Sequence, residues 1–463
     1  MPRLAPTRFS LTVLASILAG SGALEAQRHF PSDEAIQAIL NEQVTAKRTT
    51  GLVLGLLEAD GSHRIFTAGR SGNPSVALNG QTVFEIGSIT KVLTTELLAE
   101  MVSRGEVALN DPVQKFLPAG VTMPARNGRQ ITLQDLATVN SGLPGMPSNF
   151  KPGDMTNPYA DYSVNEMYEF LSSYTLPRDI GAQYEYSNLG MGLLGHVLGL
   201  RLGKSYFDAI EERILQPLGM RETRIDLSPS LRARLAPGHN AGGSAVPNWD
   251  IPTLAGAGAL RSTVDDMLRF LAANANPAST PLGRIFESTH APRASTGSPA
   301  MSVGLGWHLL NRPIGPIVWH NGGTGGYRAF LGFDPAKRVG VVLLTNSAIT
   351  ADDVGFHLID PKFPLSKPPV VRTAVAVDPA TLPQYAGTYA LTADFTIVVT
   401  VEQGALWLEP TGQSKFKVAA SAENEFFLNE ADLTILFIKD GSGTVTGLRL
   451  TQGGAVTPAK KIK

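Results

Sequence analysis

The sequence predicts an α/β fold in which one sheet is flanked by helices and carries a helical subdomain, followed by a small all-β C-terminal barrel. Strand-like apolar runs lie at 52–69 and return at 303–346, with a mostly helical block between them. Beyond a proline-rich segment, apolar and polar residues alternate in short runs to the end of the chain. This order indicates a chain that leaves a sheet, builds the subdomain and returns.

The N-terminal segment, 1–26, has the pattern of an export signal peptide. Arg3 and Arg8 form a basic start, LTVLASILAG is a short apolar run, and Ala23 and Ala26 offer small residues before a cleavage site. The apolar run is shorter than the roughly 20 residues that a membrane-spanning helix needs. We therefore expect a mature chain that is periplasmic or secreted, with no transmembrane anchor after signal removal.

A hairpin and a series of helices follow the signal. The stretch LVLGLLEADGSHRIFTAGR has apolar runs on both sides of Asp60 and Gly61, which predicts two strands joined by a turn. From Thr90 to Arg104 apolar residues recur at helical spacing, and Gly105 ends the pattern. Further helices are predicted near 133–139, 164–174 and 265–273.

Strands return after residue 300, and their residue pattern changes near the end of the chain. The runs VGLGWHLL, PIVWHNGG, AFLGFDP and RVGVVLLTN predict the rest of the sheet. PKFPLSKPPV then carries four prolines in ten residues and is typical of a linker. We expect a first domain at 30–360, a linker at 361–378 and the barrel at 379–463.

Composition and charge exclude several classes of partner. Lys and Arg total 39 and Asp and Glu total 40, so a net charge of −1 gives no overall field for nucleic acid. The chain has no Cys, which excludes disulfides, a thiol nucleophile and a Cys-ligated zinc. The eight His are scattered without an HExxH motif, and we predict no metal and no cofactor.

The stretch FEIGSITKV contains the first candidate for chemistry. If Gly87 ends an extended run and a helix starts at Ile89, Ser88 and Lys91 lie one turn apart on the same face. A Ser hydroxyl needs a neighbouring base, and a Lys can serve if burial lowers its pKa enough to leave some neutral amine. The SxxK spacing is common by chance, so by itself it is weak evidence for a catalytic Ser–Lys pair.

Two further motifs follow SxxK in order. Tyr186-Ser187-Asn188 precedes a helix-like run, and Trp319-His320-Asn321-Gly322-Gly323 ends a predicted strand before a Gly-rich turn.

Other motifs that could indicate a nucleotide site or a different hydrolase do not hold in this sequence. GMGLLG fits GxGxxG but follows a turn instead of a strand, GLRLGKS is one residue short of a phosphate loop, and GxSxG is absent.

With these motifs in place, the sequence resembles the serine β-lactamase and penicillin-binding protein superfamily, whose first motif is SxxK. The likeness covers about 30–359, including FEIGSITK, SGLPGMP and WHNGGTGGYRAFLGFDP, and is greatest to class C-like members of the AmpH type, which are D-alanyl-D-alanine carboxypeptidase/endopeptidases. The tail, with LPQYAGTY and EFFLN, is similar to the lipocalin-like barrel appended to some of these hydrolases.

The resemblance implies a role for each motif residue. Ser88 would be the acylated nucleophile, Lys91 its base and Tyr186 a proton relay, with the order of Lys91 and Tyr186 left open. The substrate-binding residues it implies are Asn188, His320, Gly322 and Gly323. Backbone N–H groups of Ser88 and Gly323 would form the oxyanion hole, which binds the negatively charged carbonyl oxygen of the reacting substrate.

One departure from the family pattern concerns substrate choice. Class C β-lactamases usually carry Lys-Thr-Gly where this chain has His320-Asn321-Gly322, and an unperturbed His is mostly neutral at pH 7. Efficient β-lactam hydrolysis is therefore in doubt. Arg328 is a candidate replacement for the anion contact, with a solvated loop Arg as the alternative.

The predicted function is an exported serine hydrolase that acts through an acyl-enzyme on D-alanyl peptides of the cell wall. A β-lactamase or a carboxylesterase would use the same site, and a penicillin-binding sensor that does not turn over is an alternative of another class. The expected partners are a small-molecule or peptidoglycan-peptide substrate and β-lactam ligands. The oligomeric state is left open.

Overall fold

The computed structural model describes residues 28–366, 372–391, 395–411, 415–428, 433–452 and 455–463. The predicted signal peptide and part of the predicted linker lie outside these residues. Among the helices within the described ranges, none is both long and apolar enough to span a bilayer.

The described part of the first domain contains an eight-stranded antiparallel sheet with the strand order β2-β1-β8-β7-β6-β5-β4-β3. Its strands are β1 (Gly51–Leu57), β2 (His63–Gly69), β3 (Ala294–Ser295), β4 (Met301–Val303), β5 (His308–Leu310), β6 (Ile317–Gly323), β7 (Arg328–Asp334) and β8 (Val339–Thr345). The predicted hairpin is β1 and β2, with Gly61 in its turn at φ +87°. β1 and β8 pair through fully buried residues, so the two ends of the domain meet in one sheet.

Helices cover both faces of this sheet. They are α1 (Asp33–Thr45), α2 (Thr90–Ser103), α3 (Leu133–Ala137), α4 (Val164–Ser173), α5 (Asn188–Leu202), α6 (Tyr206–Ile210), α7 (Pro229–Arg232), α8 (Ala255–Gly258), α9 (Val264–Ala275), α10 (Pro281–Phe286) and α11 (Asp352–Ile359). Leu52, Leu54 and Leu56 face a core with α1 and α11, whereas Val53 faces the larger core of α2, α5 and α9. This alternation is what a strand buried on both faces requires.

Small residues let α5 and α8 pack at very short range. A Cβ added at Gly192 would lie 2.7 Å from Leu254, and one at Gly195 would lie 2.9 Å from the Cα of Gly256. GMGLLG therefore lies inside a packed helix, and GLRLGKS contains its end, where Gly203 caps α5 with φ +65°. Neither motif forms a nucleotide loop. The close approach also brings the backbone of Ala257 toward α2.

The C-terminal region forms a closed, eight-stranded antiparallel barrel in the described residues, as predicted. Its strands are β9 (Gly387–Ala390), β10 (Thr396–Glu402), β11 (Ala405–Pro410), β12 (Phe416–Ala422), β13 (Glu425–Leu428), β14 (Leu433–Lys439), β15 (Val445–Gln452) and β16 (Ala455–Lys461). The β10–β11 turn has Gln403 and Gly404 at positive φ, at the predicted position. Tyr389 and Phe437 belong to its own buried core.

Candidate active site

Ser88 lies in a tight turn that leads into α2. Residues Gly87–Ile89 form a 3₁₀ turn, and α2 begins at Thr90, where the predicted helical spacing starts. Gly87 has φ +49°, and a Cβ there would lie 2.7 Å from the backbone nitrogen of Gly323. A side chain at position 87 would therefore be strained and would separate the Ser88 turn from β6. Ser88 is partly exposed between buried neighbours.

Lys91 projects from the first turn of α2 and is almost fully buried, with 1% of its surface exposed. Its Nζ lies 2.9 Å from Ser88 Oγ, 2.8 Å from Asn188 Oδ1 and 2.7 Å from the carbonyl oxygen of Ala257. The predicted contact between Ser88 and Lys91 is present. Burial lowers the pKa of Lys91 from its ordinary value to about 7, so a large share of the amine is neutral at physiological pH.

Tyr186 and Asn188 reach the same point from the start of α5. Ser187 caps that helix by accepting a hydrogen bond from the backbone N–H of Gly190, which places residues 186 and 188 on either side of the cap. Nζ of Lys91 lies 4.8 Å from the centre of the Tyr186 ring. Burial raises the pKa of the Tyr186 phenol despite a hydrogen bond with Ser88 that lowers it.

The end of β6 forms the opposite wall. β5 pairs only with Ile317–Trp319, so 321–323 have no strand partner on that side within the described ranges. A Cβ at Gly322 would overlap the carbonyl oxygen of Ile86 and lie 3.2 Å from the backbone nitrogen of Ser88. Glycine at 322 thus allows β6 to lie directly against the nucleophile turn, with Gly323 beside Gly87.

Two connected hollows open at Ser88. The first, which we call the slot, has a volume of about 20 Å³, and residues in its wall include Tyr159, Asn188, Trp249 and Gly323. The second, which we call the cleft, has a volume of about 320 Å³ and is lined by residues that include Asn321, Thr324, Arg328 and Thr350. Ser88, Trp249 and Gly323 border both, so the nucleophile lies where the two hollows adjoin.

Comparison with known proteins agrees with this geometry. Residues 36–360 match the protein family described as Beta-lactamase. The chain belongs to the β-lactamase family. Residues 371–460 match a second family, described as Domain of unknown function (DUF3471), which covers the barrel strands. The predicted superfamily is confirmed.

Individual members of the β-lactamase family extend the match. The chain is 32% identical over 319 residues to the D-alanyl-D-alanine-carboxypeptidase/endopeptidase AmpH of Escherichia coli (strain K12), covering 65% of this chain and 80% of AmpH. It is 28% identical over 300 residues to a β-lactamase of the same strain, covering 58% of this chain and 76% of that protein. A solved class C β-lactamase aligns with a TM-score of 0.62 at 21% identity, over 70% of this chain and 94% of that structure. These matches confirm the predicted fold class and the general prediction of a serine hydrolase.

His320 occupies the position where class C members of the β-lactamase family usually carry Lys, but it lies beneath the site. Only 1% of its surface is exposed, and it lines neither the slot nor the cleft. Its ring stacks on His308 with centroids 4.9 Å apart and lies 6.2 Å from Tyr186. Burial lowers the pKa of His320 well below its ordinary value. In this structure the predicted contact with substrate has no exposed surface through which to form, because the strand turns this side chain toward the core.

Arg328 lines the cleft instead. It begins β7 opposite Gly323, and its Nη1 donates to the carbonyl oxygens of Thr324 and Tyr327, both at 2.8 Å. Burial lowers the pKa of Arg328, and Asp352 is the charged group whose field opposes this. A guanidinium remains charged in proteins, so the cleft holds a cation near Ser88.

No sequence pattern indicated Tyr159 and Trp249, which also border the site. Their rings lie 5.4 Å apart, and Trp249 is held by its backbone N–H, which donates to Glu85 Oε1 at 3.0 Å. Both residues come from irregular segments with no spacing pattern. Their aromatic type in loops rich in Pro and Gly was the one signal that could have marked them.

Proposed function

We propose that the protein is an exported serine hydrolase that forms an acyl-enzyme on Ser88 and acts on D-alanyl-D-alanine ends of cell-wall peptides as a carboxypeptidase or endopeptidase. The observation that carries this proposal is the contact of Ser88 with a buried Lys91 whose pKa lies at about 7. A nucleophile and a base in hydrogen-bond contact are what acyl transfer at neutral pH requires.

The partners of Lys91 fit its neutral form. A neutral amine has two N–H groups and one lone pair. Its two N–H groups can donate to Asn188 Oδ1 and to the carbonyl oxygen of Ala257, which cannot donate in return. In that form the lone pair would accept the hydroxyl hydrogen of Ser88, whose Oγ lies 2.9 Å from Lys91 Nζ. We infer that Lys91 takes the first proton, because the raised pKa of Tyr186 keeps that phenol protonated.

In the acylation step, Ser88 Oγ would attack the substrate carbonyl carbon while its proton passes to Lys91. The negative charge that develops on the carbonyl oxygen would be held by backbone N–H groups of Ser88 and Gly323, whose turns meet at Gly87. Tyr186 would then donate its hydroxyl proton to the leaving amine and recover one from Lys91. The C–N bond to the leaving D-alanine then breaks. The amine departs in its neutral form with the proton from Tyr186, and the acyl group remains on Ser88 as an ester.

Deacylation would use the same groups in reverse. A water molecule attacks the ester carbonyl and gives its proton to the Tyr186 and Lys91 pair. Ser88 Oγ leaves as the alkoxide and is protonated by that pair. The free acid is released, and the resting state with neutral Lys91 returns.

Arg328 supports a substrate with a free carboxylate. The leaving side of a D-alanyl-D-alanine peptide ends in such a group, and Arg328 places a fixed positive charge in the larger of the two hollows beside Ser88. A guanidinium binds carboxylates through charge-assisted hydrogen bonds. The likeness to AmpH points to the same substrate class.

Export and a periplasmic or secreted location are part of the proposal. They rest on the N-terminal sequence pattern, with its basic start and short apolar run. A cell-wall substrate requires such a location, because the peptides lie outside the cytoplasmic membrane.

The test is acylation of Ser88 followed over time by intact mass. The wild-type protein should gain the mass of a penicillin and then lose it, and it should release D-alanine from a peptide that ends in D-alanyl-D-alanine. Ser88→Ala should do neither while keeping its fold by circular dichroism. Adduct formation in a folded Ser88→Ala variant would place the nucleophile elsewhere.

The same experiment separates the alternatives. A permanent adduct without D-alanine release would indicate a penicillin-binding sensor. Rapid loss of the adduct without peptide cleavage would indicate a β-lactamase, and hydrolysis confined to simple esters would indicate a carboxylesterase.

A further inference from the structure

The backbone of Trp249 is held at both of its polar groups by one buried ion pair. Its N–H donates to Glu85 Oε1 at 3.0 Å, and its carbonyl oxygen accepts from Arg261 Nη2 at 2.8 Å. Glu85 and Arg261 also contact each other, with 3.4 Å between Oε1 and Nη2, and only 4% and 8% of their surfaces are exposed. The mechanism above uses neither residue, yet together they fix the backbone of a residue that borders the site.

The ion pair is built into the segment that leads to the nucleophile. Glu85 lies opposite Arg261 in a short antiparallel ladder, and the chain passes from Glu85 into the Ser88 turn. The other end of the guanidinium is anchored as well, because Nη1 donates to the carbonyl oxygen of Ile225 at 2.6 Å. Burial raises the pKa of Glu85, and the charge of Arg261 opposes this rise. Separation of the pair would leave two unpaired buried charges, so the two side chains stay together.

The indole ring of Trp249 lies between two walls of the site. On one side its centroid is 5.4 Å from that of the Tyr159 ring. On the other side a Cβ added at Gly325 would lie 2.7 Å from the indole Nε1, so the ring rests against the turn that follows β6. Trp249 borders both the slot and the cleft, and its position therefore affects the width of both.

The two hollows that Trp249 borders differ greatly in size. The slot has a volume of about 20 Å³, close to what one water molecule needs, and the cleft has a volume of about 320 Å³. With Arg328 in the cleft as the contact for a leaving group with a carboxylate, the acyl side of the substrate falls to the slot. A hollow of this size has room for only a small branch on the carbon next to the reacting carbonyl.

We propose that the Glu85–Arg261 pair is a positioning device for substrate selection, which fixes Trp249 and thereby limits the branch next to the reacting carbonyl to about the size of a methyl group. The proposal rests on the proposed acyl-enzyme function and adds to it the residues that set the size limit. A D-alanyl residue carries a methyl branch, which the slot admits. A longer branch requires the indole to move, and the pair opposes that movement.

The test compares two esters that differ in this branch alone. p-Nitrophenyl butanoate is unbranched, and p-nitrophenyl 2-ethylbutanoate carries an ethyl branch next to the reacting carbonyl. Relative to the rates of their hydrolysis by hydroxide, the wild type should favour the butanoate in kcat/KM by roughly 10-fold to 100-fold, as expected when an extra alkyl group does not fit a fixed pocket.

Arg261→Lys keeps the positive charge beside Glu85 but loses the fork that reaches the carbonyl oxygen of Trp249. It should reduce the preference for the butanoate by roughly 3-fold to 10-fold. Glu85→Gln, which keeps the size of the side chain and removes its charge, should reduce the preference in the same way. Trp249→Ala should reduce it at least as much, and the addition of Arg261→Lys to Trp249→Ala should have no further effect on it.

Arg312→Lys is the matched control. Arg312 is also a buried guanidinium between acidic partners, with Nη2 2.7 Å from Asp334 and Nη1 2.9 Å from Asp360. It precedes β6, at the end of that strand opposite to Gly323, and lines neither hollow. Arg312→Lys should lower the melting temperature without a change in the preference between the esters.

Three results overturn the proposal. Equal losses of kcat/KM on both esters in Arg261→Lys would mean that the pair supports only the fold, and an unchanged preference would mean that other contacts fix Trp249. A further fall in preference when Arg261→Lys is added to Trp249→Ala would show that the pair acts through another group.

Failure of the proposed function would look different. If the wild type hydrolyses neither ester through Ser88, the proposed function fails, and quenching of tryptophan fluorescence by acrylamide still tests whether the pair fixes Trp249. The part of the fluorescence that is lost in Trp249→Phe should be quenched more readily in Arg261→Lys than in the wild type. Unchanged quenching would refute the positioning role.

Discussion

The pH dependence of acylation should follow the titration of Lys91. The base must be the neutral amine, which is present above its pKa and is lost as the pH falls through it. Burial lowers the pKa of Lys91 from 10.5 to about 7, so kcat/KM should rise with pH up to about 7 and reach a plateau near pH 8. Nearby histidines should not contribute, because burial lowers the pKa of His308 to about 4 and that of His320 well below its ordinary value.

The size of the effect follows from the shift. A displacement from 10.5 to about 7 corresponds to about 5 kcal/mol of destabilisation of the charged amine. At pH 8 about 90% of Lys91 would then be neutral, against about 0.3% for an exposed Lys, which is roughly a 300-fold gain in available base. Between pH 6 and pH 8 kcat/KM should increase about 10-fold.

The assay is kcat/KM for a p-nitrophenyl ester between pH 5.5 and pH 9, because the ester itself does not titrate in this range. The rising limb should have an apparent pKa near 7, and His308→Gln should leave it there. Lys91→Arg, which is a permanent cation, should be inactive at every pH. A rising limb near pH 10, or one that disappears in His308→Gln, would refute the assignment of Lys91 as the base.

Three further predictions test the cleft, the packing at β6 and the domain organisation. Arg328→Gln should lower kcat/KM for a D-alanyl-D-alanine peptide by roughly 10-fold to 100-fold and leave kcat/KM for the corresponding C-terminal carboxamide unchanged. Equal losses of kcat/KM on the two peptides would exclude a contact between Arg328 and the carboxylate. Gly322→Ala should reduce ester hydrolysis by about 100-fold, because the added Cβ overlaps the carbonyl oxygen of Ile86 and pushes β6 away from Ser88. The control is Gly441→Ala, whose Cβ would have open space around it and which should have no effect. A chain ending at Ser366 should remain folded and become acylated on Ser88, because the first domain and the barrel have separate hydrophobic cores. A truncated protein that is insoluble, or that is not acylated, would show that the barrel belongs to the catalytic unit.

Much of the fold could be predicted because its signals are local. The β1–β2 hairpin follows from apolar runs around Asp60 and Gly61, and α2 follows from apolar spacing that stops at Gly105. The barrel followed from alternation with turns at Gly404 and Gly443, both of which have positive φ. Helix and strand ends differ from prediction by one or two residues, because the end of an element depends on contacts that the pattern does not contain.

The contact between Ser88 and Lys91 follows from the sequence alone, since residues three apart at a helix start share one face. The chemistry that this contact can perform depends on the folded surroundings of the two residues. The pKa of Lys91 depends on burial by α5 and α8. The position of the Asn188 amide depends on its hydrogen bond to the Tyr159 hydroxyl. The core packing around β6 turns His320 away from the cleft that Arg328 lines. These groups are far apart in the chain, and desolvation is a property of everything that surrounds a charge, so no spacing within one segment could encode them.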